Sequence, residues 1–107
     1  MREKYRECLD ECLQCVVACD HCYDACLELN NSHMNNCIRL TRECAEICNF
    51  AASSMSKNSP FAERICVLCA DVCEACADEC NQHEHDHCKR CAEVCLKCAE
   101  SCRKMLN

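Results

Sequence analysis

One string of five cysteines, C-x-x-C-x-x-x-C-x-x-C-x-x-x-C, occurs three times in this chain, from Cys12 to Cys26, Cys66 to Cys80 and Cys88 to Cys102. Alternating steps of three and four are the a/d seam of a heptad, so each string lays a stripe of thiols along one face of an α-helix. The first stripe starts one step earlier and reads Cys8, Cys12, Cys15, Cys19, Cys22 and Cys26. The others read Cys66, Cys69, Cys73, Cys76 and Cys80, then Cys88, Cys91, Cys95, Cys98 and Cys102. A fourth segment fits the template as Met34, Cys37, Thr41, Cys44 and Cys48, with two positions exchanged. Four copies of a one-helix repeat predict an all-α fold: an antiparallel up-down-up-down four-helix bundle with a cysteine-lined core, one domain over residues 1–107.

The rest of the chain agrees. There is no glycine and a single proline, Pro60, so hairpins that need positive φ are poorly provided for. Breaks fall at Asn30-Asn31-Ser32, at Ser56 to Pro60 and around Asn81 to Asp86, which places helices at roughly 4–29, 32–56, 60–82 and 86–105. Ser59 and Pro60 read as N-cap and first helical residue. Leu9, Leu13, Val16, Ile38, Ile47, Ile65, Leu68, Val72, Val94 and Leu96 flank the seam and serve to seal helix against helix or subunit against subunit.

Nineteen cysteines are too many for ordinary core filling, because short side chains bury little apolar area and carry an oxidation liability. Disulfides along one helix fail on geometry. Neighbours at i,i+3 or i,i+4 have Cβ atoms about 5–6 Å apart, against roughly 3.5–4.5 Å in a disulfide. That separation suits two sulfurs reaching toward one shared ion. Thiolate-only sites favour Cu(I), zinc or iron–sulfur clusters. Structural zinc takes its cysteine pairs from tight turns rather than mid-helix, and the ferredoxin run ending C-P is absent. Cu(I) accepts two or three soft ligands, so a continuous stripe is able to hold a row of Cu(I) ions, several per chain.

The seam has two unlike ends. The 1–2 and 3–4 connections share one end, which collects His33, Met34, His83, His85 and His87 above Cys26, Cys37, Cys80 and Cys88. Imidazole and thioether are exchangeable copper ligands, so His83, His87 and Met34 are candidate ligands at a mouth. The other end continues the seam with Tyr5, Ala51, Met55, Ala62 and Met105, with Phe61 and Leu106 close by, and reads as plugged and dry.

A formal charge of −6 without a basic run excludes nucleic acid as a partner, and no stretch is apolar for long enough to span a membrane. The opening Met1-Arg2-Glu3-Lys4-Tyr5-Arg6-Glu7 has no export signal, which places the chain in the cytoplasm, where thiols stay reduced. Two rival functions use the same residues: a thiol redox protein, and a less selective zinc or cadmium buffer. A reactive C-x-x-C pair needs an exposed, low-pKa sulfur at a helix N-terminus, which a buried stripe does not offer.

The three five-cysteine strings, the Cys37/Cys44/Cys48 helix and the H-E-H-D-H-C segment from His83 to Cys88 resemble the cytosolic copper storage proteins over essentially the whole chain. The resemblance implies storage of many Cu(I) ions by thiolates without catalysis, histidines at an open end, an apolar closed end, and assembly as a homotetramer. A copper chaperone or a copper enzyme is then a candidate partner.

Overall fold

The computed structural model describes Arg2 to Leu106. Four α-helices carry the fold: α1 (Arg6–Glu28), α2 (Asn35–Ser56), α3 (Ala62–Cys80) and α4 (Asp86–Lys104). Two short 3-10 turns, Glu3–Tyr5 and Ser32–Met34, lead into α1 and α2 where the sequence pattern had simply extended the helices. Each helix packs on two others, α1 on α2 and α4, and α3 on α2 and α4, giving a four-cornered rod of 42 × 18 × 17 Å.

Without glycine, the chain still needs left-handed residues to leave its helices, and asparagine supplies them. Asn30 follows α1 with φ 49° and Asn58 follows α2 with φ 56°. At the second site the Ser59 N–H donates to Ser54 O at 2.9 Å and the Asn58 N–H to Met55 O at 3.2 Å, the paired bonds of a Schellman cap. Ser59 then opens the next segment, its Oγ accepting from the Phe61 N–H at 3.1 Å, but Pro60 and Phe61 form a turn and the α-helix starts at Ala62. The cap chemistry expected at Ser59 is thus present three residues ahead of the helix proper.

Inside lie the thiols, with small alanines such as Ala45, Ala70, Ala77 and Ala92 buried beside them. Met34 and Met55 are the bulkiest fully enclosed side chains, one toward each end of α2. Thr41 is enclosed too, and its Oγ1 donates to its own helix at Cys37 O, 2.8 Å away, and Ile38 O, 3.1 Å away. Leu9, Val16, Ile38, Ile47, Ile65 and Val72 pack partly buried around the core, and Val94 is buried. Leu13, Leu68 and Leu96 remain exposed, as do Val17 and Phe50.

The end formed by the chain start, the α2–α3 connection and the tail is sealed. Tyr5, Ala51, Met55 and Ala62 are buried and Met105 packs against them, while Arg2 Nε donates to Asn58 Oδ1 at 2.9 Å and Lys4 pairs with Glu63 at 3.5 Å. Phe61 and Leu106 are not part of the seal; both lie exposed beside it.

Candidate metal centre

All nineteen cysteines are free thiols with no solvent exposure. All but Cys66 and Cys76 have their sulfurs in hydrogen-bonding contact with another at 3.5–4.0 Å, far beyond the roughly 2.05 Å of a disulfide. The shortest contacts cross between helices: Cys8 to Cys102 at 3.5 Å, and Cys48 to Cys69, Cys44 to Cys73, Cys19 to Cys95 and Cys37 to Cys80 at 3.6 Å. Pairs within one helix are slightly longer and sit at i,i+4: Cys15–Cys19, Cys69–Cys73 and Cys91–Cys95 at 3.9 Å, and Cys22–Cys26 at 3.8 Å. The sequence pattern suggested sharing within one helix; the fold adds ligands from facing helices, which the period alone does not specify.

Sets of four ligand atoms lie within 4.8 Å of one another all along the axis. One holds Cys12, Cys48, Cys69 and Cys98; the next holds Cys15, Cys48, Cys73 and Cys98; then come Cys15, Cys19, Cys44 and Cys95, and Cys19, Cys76, Cys91 and Cys95. Each set shares at least one sulfur with the next. Cys66 extends the run, its thiol acting on the titration of Cys8 and Cys102. A metal–sulfur bond of about 2.3 Å places trigonal or tetrahedral sulfurs about 3.8–4.0 Å apart, close to the spacing already present. Since the sets overlap, isolated four-ligand ions could fill only a few of them, whereas bridging thiolates could fill them all.

At the opposite end from the seal, Cys22, Cys26, Cys88 and His87 form a further set. His87 Nε2 stands 3.4 Å from Cys26 Sγ, and the His85 ring stacks on His87 with centroids 5.3 Å apart. Burial, with His85 close by, lowers the His87 pKa and keeps its imidazole neutral, the form that binds metal. Met34 is enclosed at the start of α2. His83 is placed differently from His87: its Nε2 meets Glu79 Oε2 at 2.8 Å. His33 is exposed, its backbone N–H bound to Asn31 Oδ1 at 3.0 Å. His21, which the sequence reading left out of this end, shares with His87 a groove of about 330 Å³ between α1 and α4, lined also by Gln14, Val17, Arg90 and Val94. Its place just before Cys22 on the seam was the available signal.

Charge in this cluster is strongly coupled. Thiol hydrogen bonds from Cys22 and Cys80 hold Cys37 below the usual thiol range, while the Cys37 sulfur in turn pushes Cys22 up. Burial pushes Cys26 from the ordinary 9.0 to about 11, and Cys37 adds to the effect. Cys88 is raised for the same reasons. One thiolate among protonated neighbours is the arrangement a low-dielectric site allows, and the remaining protons must leave as a metal enters.

This has a consequence for the metal-free fold. A raised Cys26 means that the folded state holds this proton more tightly than the unfolded chain does. Its stabilising contribution is complete below about pH 9 and is lost as pH rises through about 11. Cys37 acts at lower pH and adds no slope in that window, since a depressed group's contribution is fully present above the unfolded pKa. Thermal melts of reduced, metal-free protein followed by circular dichroism should show a midpoint that falls between pH 9 and 11; a rising midpoint would contradict enclosed, protonated thiols.

Relatives carry the same architecture. A Bacillus subtilis (strain 168) protein described as the uncharacterized cysteine-rich protein YhjQ is 52% identical over 89 residues, covering 81% of this chain and 82% of the relative. The Cu(I)-bound copper storage protein BsCsp3 superposes with a TM-score of 0.94 at 49% identity, covering 98% of this chain and 100% of its own. The copper storage protein Ccsp of Streptomyces lividans, loaded with 10 copper equivalents, gives 0.92 at 38% identity, over 98% of this chain and 85% of that one. The sequence profile described as copper storage protein matches residues 1–107. With a thiol-filled four-helix core matched from end to end, this chain belongs to the copper storage protein family.

Proposed function

We propose that the chain takes up several Cu(I) ions and stores them as shared thiolates in the bundle core, buffering copper and protecting the cell from it. The observation that carries this is the overlap of four four-sulfur sets through the inner core, with a further cysteine and histidine set at the mouth. Soft Cu(I) at low coordination number uses bridging sulfur well; zinc, which seeks four ligands in a closed tetrahedron, does not. Anaerobic Cu(I) titration of the reduced chain in the presence of excess zinc tests the reading. Copper should fill the core unhindered, and zinc that kept its place would overturn it.

Binding rather than catalysis is the role these thiols support. In the redox alternative a C-x-x-C sulfur would be exposed and acidic, yet Cys88, in the first turn of α4, is enclosed and raised. No helix among the described residues is long and apolar enough to cross a membrane. A reducing cytoplasm would keep the thiols available, with a copper chaperone or copper enzyme as exchange partner. A homotetramer would cover Leu13, Val17, Phe50, Leu68 and Leu96, which one chain leaves exposed.

Copper would pass through the histidine end. His87, beside Cys26, would be the first protein ligand, and His83 would assist once released from Glu79. Replacing both with alanine should slow loading and chelator-driven removal while leaving capacity nearly unchanged, because every sulfur remains. Met55→Leu and Met105→Leu at the sealed end should leave both rates nearly untouched, since those side chains fill space. Stopped-flow loading with a coloured Cu(I) chelator reads all four changes, and the reverse pattern would move the door to the other end.

A further inference from the structure

The thiol hydrogen bonds divide into two networks. The outer one joins Cys22, Cys26, Cys37, Cys80 and Cys88, with His87 against Cys26. The inner one runs continuously from Cys91 through Cys19, Cys95, Cys44 and Cys73 toward the sealed end at Cys8. Among the described residues no sulfur hydrogen bond of 4.0 Å or less connects the two. Cys80 still acts on Cys76 and Cys91 across the break, and Cys22 on Cys91, so it is a thinning of the array rather than a wall.

The break lies where α2 carries Thr41. From Cys37 to the next sulfur at Cys44 this helix takes a step of seven residues, about 10 Å along its axis, whereas the other three offer a thiol every three or four residues, about 4.5–6 Å. The Thr41 hydroxyl does not fill in. Its proton is committed to Cys37 O at 2.8 Å, and a neutral hydroxyl oxygen is a hard donor that Cu(I) does not select.

We propose that Thr41 divides the stored copper into two pools, a small outer pool on five thiols beside His87 and a larger inner reservoir. The division rests on the copper-storage reading and specifies how the store is organised. Ions that share thiolates form one array only where each sulfur bridges to the next. At the Thr41 level one of the four walls supplies no bridge, so that joint is the weakest in the chain of ions. Outer ions leave through the mouth without waiting for the reservoir, and inner ions must cross the joint to leave.

The test uses the full chain loaded with Cu(I) to saturation and then exposed anaerobically to a large excess of a Cu(I) chelator. Release should have two phases, the fast one amounting to about a quarter of the copper, the share of five thiols in nineteen. Alkylation of newly freed thiols during the fast phase, located by mass spectrometry, should mark Cys22, Cys26, Cys37, Cys80 and Cys88 before the inner set. Thr41→Cys supplies the missing sulfur and should merge the phases into one. Thr41→Val keeps the side-chain shape without a sulfur and should retain both phases. A single phase from fully loaded wild-type protein, alkylation spread evenly over the core, or unchanged phases in Thr41→Cys would overturn the division while leaving storage intact. Failure to load beyond a few ions would overturn storage, and the division with it.

Discussion

Reduced protein titrated with Cu(I) under anaerobic conditions is expected to bind clearly more than about 10 ions per chain and to leave almost no thiol open to alkylation. The reason is electrostatic. If each ion kept two thiolates to itself, nineteen cysteines would hold about 9 ions and the core about as many net negative charges, each costing several kcal/mol to bury. Sharing removes that charge, because each added ion cancels one thiolate, and occupancy rises toward one ion per sulfur. The overlap of the four-sulfur sets makes such sharing geometrically available, since Cys15, Cys19, Cys48, Cys95 and Cys98 each belong to two of them. A plateau at four or five ions would mean closed tetrahedral sites and would end the shared-thiolate account.

The second large effect is on stability. Copper has its sites only in the folded bundle, so each site filled at a free concentration a thousandfold above its Kd adds about 4 kcal/mol. One kcal/mol moves the midpoint of a domain near this size by about 4–8 °C. Even a few filled sites should therefore raise the thermal midpoint by more than about 20 °C, in step with the copper added. Helix content should hardly change on loading, since the four helices and their caps are specified without metal. Circular dichroism reads both quantities, and a random-coil spectrum for the metal-free protein would refute the second.

The bundle was legible because its signal is redundant: three identical cysteine strings and a fourth imperfect one repeat a single period, and no glycine or interior proline contradicts it. Helix starts were less legible. Ser32 and Pro60 looked like the first residues of helices, and both instead lie in turns that precede them. Which thiols meet across the core depends on how far each helix slides along its neighbour, and a period of three and four says nothing about that offset. For the same reason Cys44 and Cys73 become partners only in the fold. The histidines show a different limit. His83 and His87 are equivalent by position, but a glutamate one turn earlier on α3 takes up His83, while His87 lies at the start of α4 with its ring against Cys26. Thr41 was visible as an exchange in the pattern. Its bearing on the sulfur networks emerged only once the contacts on either side of it were known.

The spacing of the sulfurs bears on more than capacity. Hydrogen-bonded thiols 3.5–4.0 Å apart already stand at nearly the separation that a bridging metal requires. A proton between two sulfurs is thus a placeholder for a monovalent ion of the same charge. Loading to one ion per thiol is then ion exchange within a fixed lattice: one positive charge leaves, another takes its place, and the walls hardly move. Where each ion replaces one proton the net charge hardly differs between empty and full, so the cargo is nearly silent electrically from outside. A partner that distinguishes a full store from an empty one would have to sense the mouth itself, because the surface charge carries no record of what lies within.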